Sequence, residues 1–387
     1  MGASFVSYPK VFVVDAEGKP LLPCHPARAR MLLRDGKAVV ERGCPFAIRL
    51  KRVVEGPAGS LRAKVDDGSR RVGIALVNEH TGEVVFRGVL ILRGDVVRLV
   101  TLRREYRRGR RYRLVRHRPC RSLNRKQAVP SPSIRQKKEA ISRVLADLAK
   151  IAPISGVDVE LVSAAVRNPS LPGRDAREKV LGRDGRCVLC GGREKLHCHH
   201  LVGRAKGGSD TPQNRVALCR DCHEKLHAGQ VSLNRKGRTF AWRAHAVLGK
   251  AYLLSLLRRF GEVRTCEGWQ TEGWREALGL PESHANDAAC LFPCGPLKFF
   301  GPEHVIWPLR RRRWEGNPTK ACEEKNGLRH WDVVRAERAG RVVFGCVRSL
   351  KARALTLRTA FDRSFEVSYS KARVLHRPRG VAYVPAC

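Results

Sequence analysis

Residues 61–92 read LRAKVDDGSRRVGIALVNEHTGEVVFRGVLIL, and this stretch decides the fold. Turn residues at 67–69 and at 81–82 interrupt apolar runs, which predicts three strands joined by tight turns. Because most positions in these strands are apolar, we expect them at the centre of a sheet. Asp66 and Asp67 stand where the first strand ends, so an acidic side chain is expected at one edge of that sheet.

Acidic residues recur in two later motifs. The run GVDVELV at 156–162 predicts a strand, and its Glu160 is expected at a strand end that faces a cleft, because an unpaired buried carboxylate is costly. SHANDAACL at 283–291 predicts a short helix with His284 and Asp287 on one face. If Asp66, Glu160, Asp287 and His284 converge, they suit a two-metal site with cations about 3.5–4 Å apart. Exposed carboxylates are common, and surface decoration is the alternative.

Arginine dominates residues 97–126, VRLVTLRREYRRGRRYRLVRHRPCRSLNRK. Arginines occupy most faces of the predicted helix and acidic residues are almost absent, unlike a solvated helix with alternating charges. We therefore expect an arginine-lined helix that lies along phosphates, although a solvated surface helix is the alternative. The candidate nucleic-acid-binding residues are Arg103, Arg104, Arg107, Arg108, Arg110 and Arg111.

Composition indicates a polyanionic partner. The 387 residues carry a formal net charge of +40, with a pI of about 10.8. Nucleic acid is the expected partner, and an anionic membrane surface is the weaker alternative. No stretch reaches the roughly 18 apolar residues of a membrane-spanning helix, and we expect no signal peptide. In a reducing cytoplasm most of the 14 cysteines would be thiols or metal ligands.

Two C-x-x-C pairs predict a structural zinc site. CVLC supplies Cys187 and Cys190, and CRDC supplies Cys219 and Cys222, with 28 residues between the pairs. Two such pairs give the four thiolates of a tetrahedral zinc site. Four buried thiols are the alternative, but this short polar segment offers little core to bury them.

The histidines between the two pairs form a second motif. LHCHHLVGRAKGGSD at 196–210 is followed by QNRVALC and then by His223. Adjacent side chains on a strand point to opposite faces, so His199 and His200 should have different roles. The order His-His, Asn, His closely resembles the HNH, or ββα-metal, nuclease module.

That resemblance implies a role for each residue. His200 corresponds to the general base of phosphodiester hydrolysis, and His199 and His223 correspond to ligands of one catalytic Mg²⁺. Asn214 would orient the base or hold the loop, and His227 is a possible third ligand. The remaining expectations are packing or phosphate contact for His197 and burial for Cys198.

The acidic motifs resemble those of RuvC nucleases, in the same order. VDDGSRRVGIALV, VDVELV and SHANDAACL are similar to the three RuvC motifs, with the HNH-like segment between the second and third. The first motif has Asp67 where Pro is usual, so Asp67 is expected to perturb Asp66 or to compete for metal. The segment after Glu160 lacks the family's usual continuation.

Together these motifs resemble the IscB family of transposon-encoded, RNA-guided DNA endonucleases. GKPLLPCHPARARMLL is similar to that family's Pro-Leu-Met-Pro module, with Leu22 where Met is usual, and RREYRRGRR resembles its Arg-Arg-x-Arg-Arg signature. The implied fold class is multidomain α/β, with an RNase H-like RuvC core split in three, an inserted HNH domain with structural zinc, and a small C-terminal β-rich domain. The expected ranges are 1–56 for the Pro-Leu-Met-Pro-like module, 57–95, 128–172 and 231–307 for RuvC, 96–127 for the bridge helix, 173–230 for HNH and 308–387 for the C-terminal domain.

The resemblance also implies a function. A structured guide RNA would pair with one strand of a double-stranded DNA target, with the HNH site cutting that strand and the RuvC site the displaced one. It implies three kinds of cofactor: one Mg²⁺ in HNH, two Mg²⁺ in RuvC and a structural Zn²⁺. It also implies a monomeric ribonucleoprotein in a prokaryotic cytoplasm, associated with the nucleoid. The alternatives are a protein-only HNH endonuclease of restriction or homing type, and a non-catalytic RNA-binding protein.

Overall fold

The computed structural model describes residues 3–6, 8–56, 59–113, 130–161, 173–203, 214–233, 249–309, 324–338, 340–360 and 364–386. The chain divides into two compact units, one made of residues 1–161 and 249–387 and the other of residues 162–248. Among the described helices, none is long and apolar enough to cross a membrane.

Strands dominate the first unit. They are β1 (Ala3–Val6), β2 (Val11–Val14), β3 (Pro20–Cys24), β4 (Ala38–Gly43), β5 (Phe46–Leu50), β6 (Leu61–Asp66), β7 (Arg71–Asn78), β8 (Glu83–Ile91), β9 (Ile154–Glu160), β12 (Glu262–Cys266), β13 (Leu297–Phe300), β14 (His304–Pro308), β15 (Val333–Arg338), β16 (Arg341–Leu350), β17 (Ala354–Thr359), β18 (Ser364–Ser368), β19 (Ala372–His376) and β20 (Val381–Pro385). Its helices are α1 (Pro26–Arg34), α2 (Val96–Tyr112), α3 (Pro132–Leu148), α6 (Lys250–Leu257), α7 (Gly268–Ala277) and α8 (His284–Ala289). The second unit contains α4 (Gly173–Asp184), β10 (Leu196–His200), β11 (Arg215–Cys219) and α5 (Arg220–His227).

A nine-stranded mixed sheet is the centre of the first unit. Its order is β1-β13-β8-β7-β6-β9-β12, and β14 pairs with both β8 and β20. The three strands expected from residues 61–92 are confirmed as an antiparallel meander, β6-β7-β8. Strand β9 then lies parallel to β6, and β12 lies parallel to β9. Parallel pairing places the carboxyl ends of β6 and β9 at the same edge of the sheet.

Side-chain alternation gives the large sheet two different faces. Leu61, Ala63 and Val65 of β6 point to the face covered by α3 and α6, where they join the largest hydrophobic core. Arg62, Lys64 and Asp66 alternate with them, and a strand places alternate residues on the opposite face. Helices α7 and α8 contribute to the smaller core on the other side of the sheet, together with Ala75 and Val77. Charged groups and catalytic candidates therefore share the face that is covered by short helices.

Two glycines let helix α8 lie directly on the sheet. A Cβ added at Gly73 would lie 1.7 Å from the carbonyl oxygen of His284 and 3.0 Å from the Cβ of Ala288. At Gly68 an added Cβ would lie 2.0 Å from the carbonyl oxygen of Arg71, within its own turn, and 3.2 Å from Cε1 of the His284 ring. No side chain fits between β7 and α8 at Gly73, so the absence of a side chain there fixes the height of α8 above the sheet.

The two smaller sheets lie toward the ends of the chain. Strands β3-β2-β5-β4 form one of them, and α1 packs on it around Ala29 and Ile48. Strands β18-β17-β16-β15-β19 form the other. At the outer ends of the expected ranges 1–56 and 308–387, strand β1 pairs with β13 and strand β20 pairs with β14, so both extend the large sheet. The ranges themselves stay a prediction.

The second unit is a β-hairpin followed by a helix. Strands β10 and β11 pair antiparallel, and α5 follows β11 directly. Its small core consists of Cys187, Val216 and Leu218, with Leu196 and Leu226 packed against it. This is the hairpin and following helix expected for an HNH-like module.

Replacement of Gly73 by alanine is predicted to lift α8 from the sheet. The added methyl group would collide with backbone rather than with a flexible side chain, and overpacking of this kind costs about 1–3 kcal/mol or more. We expect a melting temperature lower by several degrees in a circular dichroism melt. Gly94→Ala is the matched control, since no atom lies within 4 Å of its added Cβ. Equal melting temperatures for Gly73→Ala and the wild type would contradict this account of α8.

Candidate active sites

The first candidate site lies at the carboxyl ends of β6 and β9. Asp66 and Glu160 are paired directly across these two parallel strands. Helix α8 adds His284 and Asp287, so residues more than 200 positions apart in the sequence meet at this edge. We refer to Asp66, Glu160, His284 and Asp287 as the carboxylate cluster.

Distances within the carboxylate cluster are short. His284 Nδ1 lies 2.5 Å from Asp66 Oδ2. Ligand atoms of Asp66, His284 and Asp287 all lie within 4.8 Å of one another. Glu160 stands outside that group but points to the first turn of α7, where a Cβ added at Gly268 would lie 3.0 Å from its Oε1. Oxygen and imidazole donors at this spacing fit Mg²⁺ or Mn²⁺.

Burial and mutual repulsion shift the acidities in this cluster. Burial is the main cause that raises the pKa of Glu160 to about 7, and the charges of Asp66 and Asp287 add to it. The pKa of Asp66 is also raised by burial, against the opposing effect of its hydrogen bond with His284. That same hydrogen bond raises the pKa of His284. Negative charge on these buried carboxylates is unfavourable in the free protein. A bound cation would stabilise that charge, so the cluster favours cation binding.

Asp67 does not join the carboxylate cluster. Its side chain is 2% exposed and forms an ion pair with Lys138 of α3. Burial raises the pKa of Asp67, and Lys138 opposes that effect. The charge of Asp66 also helps to raise the pKa of Asp67, so the two carboxyl groups do interact. Lys138 pairs with Asp67, which lies outside the group formed by Asp66, His284 and Asp287. An effect of Asp67 on Asp66 or on its metal stays a prediction.

Two cations that the sequence analysis missed support the cluster. Arg275 of α7 donates from Nη1 to Asp287 Oδ1 over 2.9 Å. Lys64, fully buried on β6, donates to the carbonyl oxygens of Leu291 and Phe292 just beyond α8, over 2.6 and 3.3 Å. A cation at a helix carboxyl end is favoured by the helix dipole. The lysine inside the apolar run of residues 61–66 was the only sequence signal for this support.

The second unit contains a group of four thiols. The Sγ atoms of Cys187, Cys190, Cys219 and Cys222, which we call the cysteine cluster, lie within 4.8 Å of one another. Burial acts to raise the pKa of Cys187, but backbone N–H groups, that of Cys190 first, lower it to about 6. Hydrogen bonding to Cys219 and burial raise the pKa of Cys222 to about 12. Zinc binds four thiolates in a tetrahedron, and one of these four thiols already has a lowered pKa. This cluster could therefore bind zinc.

Three imidazoles form a separate group beside α5. Ligand nitrogens of His199, His223 and His227, here called the histidine cluster, lie within 4.8 Å of one another. Burial, and then the charges of His223 and His227, lower the pKa of His199 to about 4. The pKa of His223 is lowered mainly by burial. Neutral imidazoles are the metal-binding form, and the structure brings the possible third ligand, His227, into the group.

The other residues of the HNH-like motif have distinct surroundings. Asn214 is fully buried, accepts from the N–H of Val202 over 3.1 Å and donates to its carbonyl oxygen over 3.0 Å. Cys198, expected to be buried, is half-buried, and its thiol donates to the carbonyl oxygen of Arg177. Its neighbour on β11 is Ala217, too small to cover it. His197 is exposed, with its ring 6.1 Å from that of His223.

Helix α2 carries all six candidate arginines. Residues 103–112 are exposed, and Glu105 is the single acidic residue in the helix. Residues 114–127 of the expected bridge helix lie outside the described residues. A basic exposed surface of this kind suits a phosphate backbone.

Loss of one zinc ligand is predicted to empty the cysteine cluster. Cys187→Ser removes the thiol with the lowered pKa, so we expect metal analysis to find zinc reduced from about one equivalent to near zero, with the second unit melting earlier. Cys198→Ser is the matched control, because that thiol lies in the same unit but outside the cluster. Unchanged zinc in Cys187→Ser would remove this residue as a ligand.

The raised pKa of Glu160 predicts a pH-dependent stability. The folded state binds the Glu160 proton more tightly than the unfolded state, so stability present below about pH 4.5 is lost as the pH rises through about 7. Without added divalent cations, we expect Glu160→Gln to melt several degrees above the wild type at pH 8 and close to it at pH 4.5. The control Glu272→Gln alters an exposed carboxylate on α7, the helix whose first turn Glu160 faces. An equal gain at both pH values would mean that Glu160 is not the responsible group.

Two regions of the chain match known protein families. Residues 11–178 match the RRXRR protein family, and residues 187–229 match the HNH endonuclease family. The type IV methyl-directed restriction enzyme EcoKMcrA of Escherichia coli (strain K12) is 41% identical over 46 residues, 12% of this chain. The chain spans only 17% of the length of that enzyme. Anaredoxin of Nostoc sp. (strain PCC 7120) is 33% identical over 63 residues, 16% of this chain and 83% of anaredoxin.

The HNH endonuclease match and the similarity to EcoKMcrA support a DNA endonuclease, and the RRXRR match suggests nucleic-acid binding. The chain therefore contains an RRXRR domain followed by an HNH endonuclease domain, and a 63-residue part of it belongs to the family of anaredoxin.

Proposed function

We propose that this protein is an RNA-guided DNA endonuclease of the IscB type with two metal-dependent sites. The observation that carries the proposal is the convergence of Asp66, Glu160, His284 and Asp287 at one sheet edge. Three of these side chains lie on two different elements within 4.8 Å, and the fourth is their strand neighbour. An HNH domain alone does not require a second group of acidic residues in another unit of the chain.

The HNH site would cut the DNA strand paired with the guide. The histidine cluster would hold one Mg²⁺, which would neutralise charge on the phosphate and leaving group when bound. His200 would take a proton from the attacking water, the role that the HNH resemblance gives it. Asn214 would keep the loop after β10 in place through its two hydrogen bonds with Val202.

The carboxylate cluster would form the RuvC-type site that cuts the displaced strand. Asp66, Glu160 and Asp287 would hold two Mg²⁺ ions, and His284 would orient Asp66 through their 2.5 Å contact. The raised pKa of Glu160 supports this assignment, because perturbed carboxylates in a partly open site are candidates for function.

The exposed arginines of α2 support a guide RNA as partner. Arg103, Arg104, Arg107, Arg108, Arg110 and Arg111 would hold phosphates of the guide and of the RNA–DNA heteroduplex. The small C-terminal sheet would contact DNA that flanks the target. A protein-only HNH endonuclease is the second candidate, favoured by the similarity to EcoKMcrA, but it leaves the carboxylate cluster without a role.

One experiment tests both halves of the proposal. The protein is purified, its bound RNA is sequenced, and a DNA duplex that matches the guide is labelled on each strand. We expect Asp66→Ala to retain cleavage of the guide-paired strand and His200→Ala to retain cleavage of the displaced strand. Each variant should reduce its own cut by at least about a hundredfold, as expected for loss of a residue central to catalysis.

Three outcomes would contradict the proposal. Purified protein without a structured RNA, active on DNA alone, would favour the protein-only endonuclease. Loss of both cuts in either folded single variant would rule out two independent sites. Retention of both cuts in Asp66→Ala would remove the carboxylate cluster from catalysis, with Glu272→Gln as the surface control.

A further inference from the structure

The proposed base His200 contacts an arginine that no motif predicted. His200 and Arg215 stand directly opposite each other on β10 and β11. Arg215 Nε donates to His200 Nε2 over 3.1 Å. Arg215 is 7% exposed and His200 is half-buried, so the contact is partly shielded from solvent and is stronger than a fully exposed contact would be.

The chemistry of the two side chains fixes the direction of this hydrogen bond. An arginine guanidinium carries five N–H donors and accepts nothing, and it keeps its charge at every physiological pH. A neutral imidazole has one acceptor nitrogen, which must therefore be Nε2 of His200 here. The contact occupies the lone pair with which His200 would take a proton from water.

If His200 is the general base, the phosphate under attack must bind within reach of Arg215. A water that transfers a proton to His200 Nε2 lies about 2.6–3.2 Å from it, and the phosphorus under attack lies about 3–3.5 Å beyond the water. A phosphate oxygen then falls within reach of the guanidinium, whose planar fork matches phosphate geometry. The phosphate and the neutral Nε2 of His200 would compete for the guanidinium of Arg215. The phosphate is the stronger hydrogen-bond acceptor because it is charged.

We propose that Arg215 is a phosphate-binding residue that restrains His200 until DNA arrives. In the free protein its guanidinium holds the Nε2 lone pair of His200. When the scissile phosphate enters, Arg215 binds that phosphate and leaves Nε2 for the attacking water. This inference rests on the proposed role of His200 as general base and adds a substrate-dependent step to it.

The backbone around Arg215 is held while its side chain changes partner. Arg183 donates from Nη2 to the carbonyl oxygen of Arg215 over 2.9 Å. Asp184 accepts from the N–H of Ala217 over 2.9 Å. Both contacts anchor β11 to α4, so the side chain of Arg215 can change partner by its own rotation while the strand stays anchored.

The first test measures the contact without any nuclease activity. Diethylpyrocarbonate modifies an imidazole through its free lone pair, and the full-length protein is labelled before digestion with trypsin. His197, His199 and His200 share the peptide 196–204, so fragmentation must locate the label. Relative to exposed His197, we expect labelling of His200 to rise roughly fivefold in Arg215→Met, the ratio for a lost hydrogen bond of about 1 kcal/mol. Arg220→Met is the matched control, because Arg220 is an exposed arginine of the same unit that pairs with Glu224.

The second test measures cleavage of the guide-paired strand. Arg215→Met should reduce the cleavage rate at saturating DNA by about a hundredfold, the scale of one lost charge-stabilising donor. Arg215→Lys should recover a large part of it, since lysine still binds phosphate as a point charge. A methylphosphonate beside the cleaved bond, which removes one phosphate charge, should slow the wild type much more than Arg215→Met.

The outcomes separate this inference from the proposed function. Unchanged His200 labelling in Arg215→Met would overturn the restraint, whatever the nuclease activity. Full or increased cleavage in Arg215→Met, or an equal methylphosphonate effect in both proteins, would overturn the phosphate role. A wild type that cuts no DNA with its own RNA would refute the proposed function, while the labelling result would still decide whether Arg215 shields His200.

Discussion

The close contact between helix α8 and strand β7 is the constraint on which the carboxylate cluster depends. Gly73 lets the backbone of α8 approach the strand so closely that a Cβ there would lie 1.7 Å from a carbonyl oxygen. That approach brings His284 and Asp287 close to Asp66, the last residue of β6. Lys64, on the strand beneath the helix, donates hydrogen bonds to the carbonyl oxygens just beyond the end of α8 and so holds that end against the sheet. Because the helix has only six residues, these contacts and not its own hydrogen bonds determine its position.

Both candidate sites concentrate groups that destabilise one another. Asp66, Glu160 and Asp287 have raised pKa values mainly because they are buried, and His199 has a pKa lowered to about 4 for the same reason. Folding alone gains nothing from such arrangements, and a stable core would avoid them. They become favourable when a cation binds the carboxylates or the neutral imidazoles. The two groups are therefore better explained by ligand binding than by structure.

The excess of positive charge has two uses in this chain. Exposed arginines of α2 face solvent with a single acidic residue among them, as suits a long polyanion. Arg275 and Arg215 are different, since each donates to one candidate site residue, Asp287 or His200. In each case the guanidinium occupies a position that a metal ion or a phosphate would contest. An arginine that contacts a site residue is thus part of the chemistry of the site as well as of the net charge.

The sequence by itself determined the three-stranded meander, the C-x-x-C pairs and the residue types of both sites, because these depend on local alternation, turns and spacing. It also indicated His284 and Asp287 as one helical face, which their i, i+3 spacing requires. It missed Arg215, Arg275 and the role of Lys138, since one arginine or lysine among 76 carries no signal. Only the tertiary structure decided that Asp67 turns to Lys138, that β1 and β20 join the large sheet, and that Asp66 and Glu160 meet. Those outcomes depend on strand register and long-range packing, which join residues that local sequence patterns cannot connect.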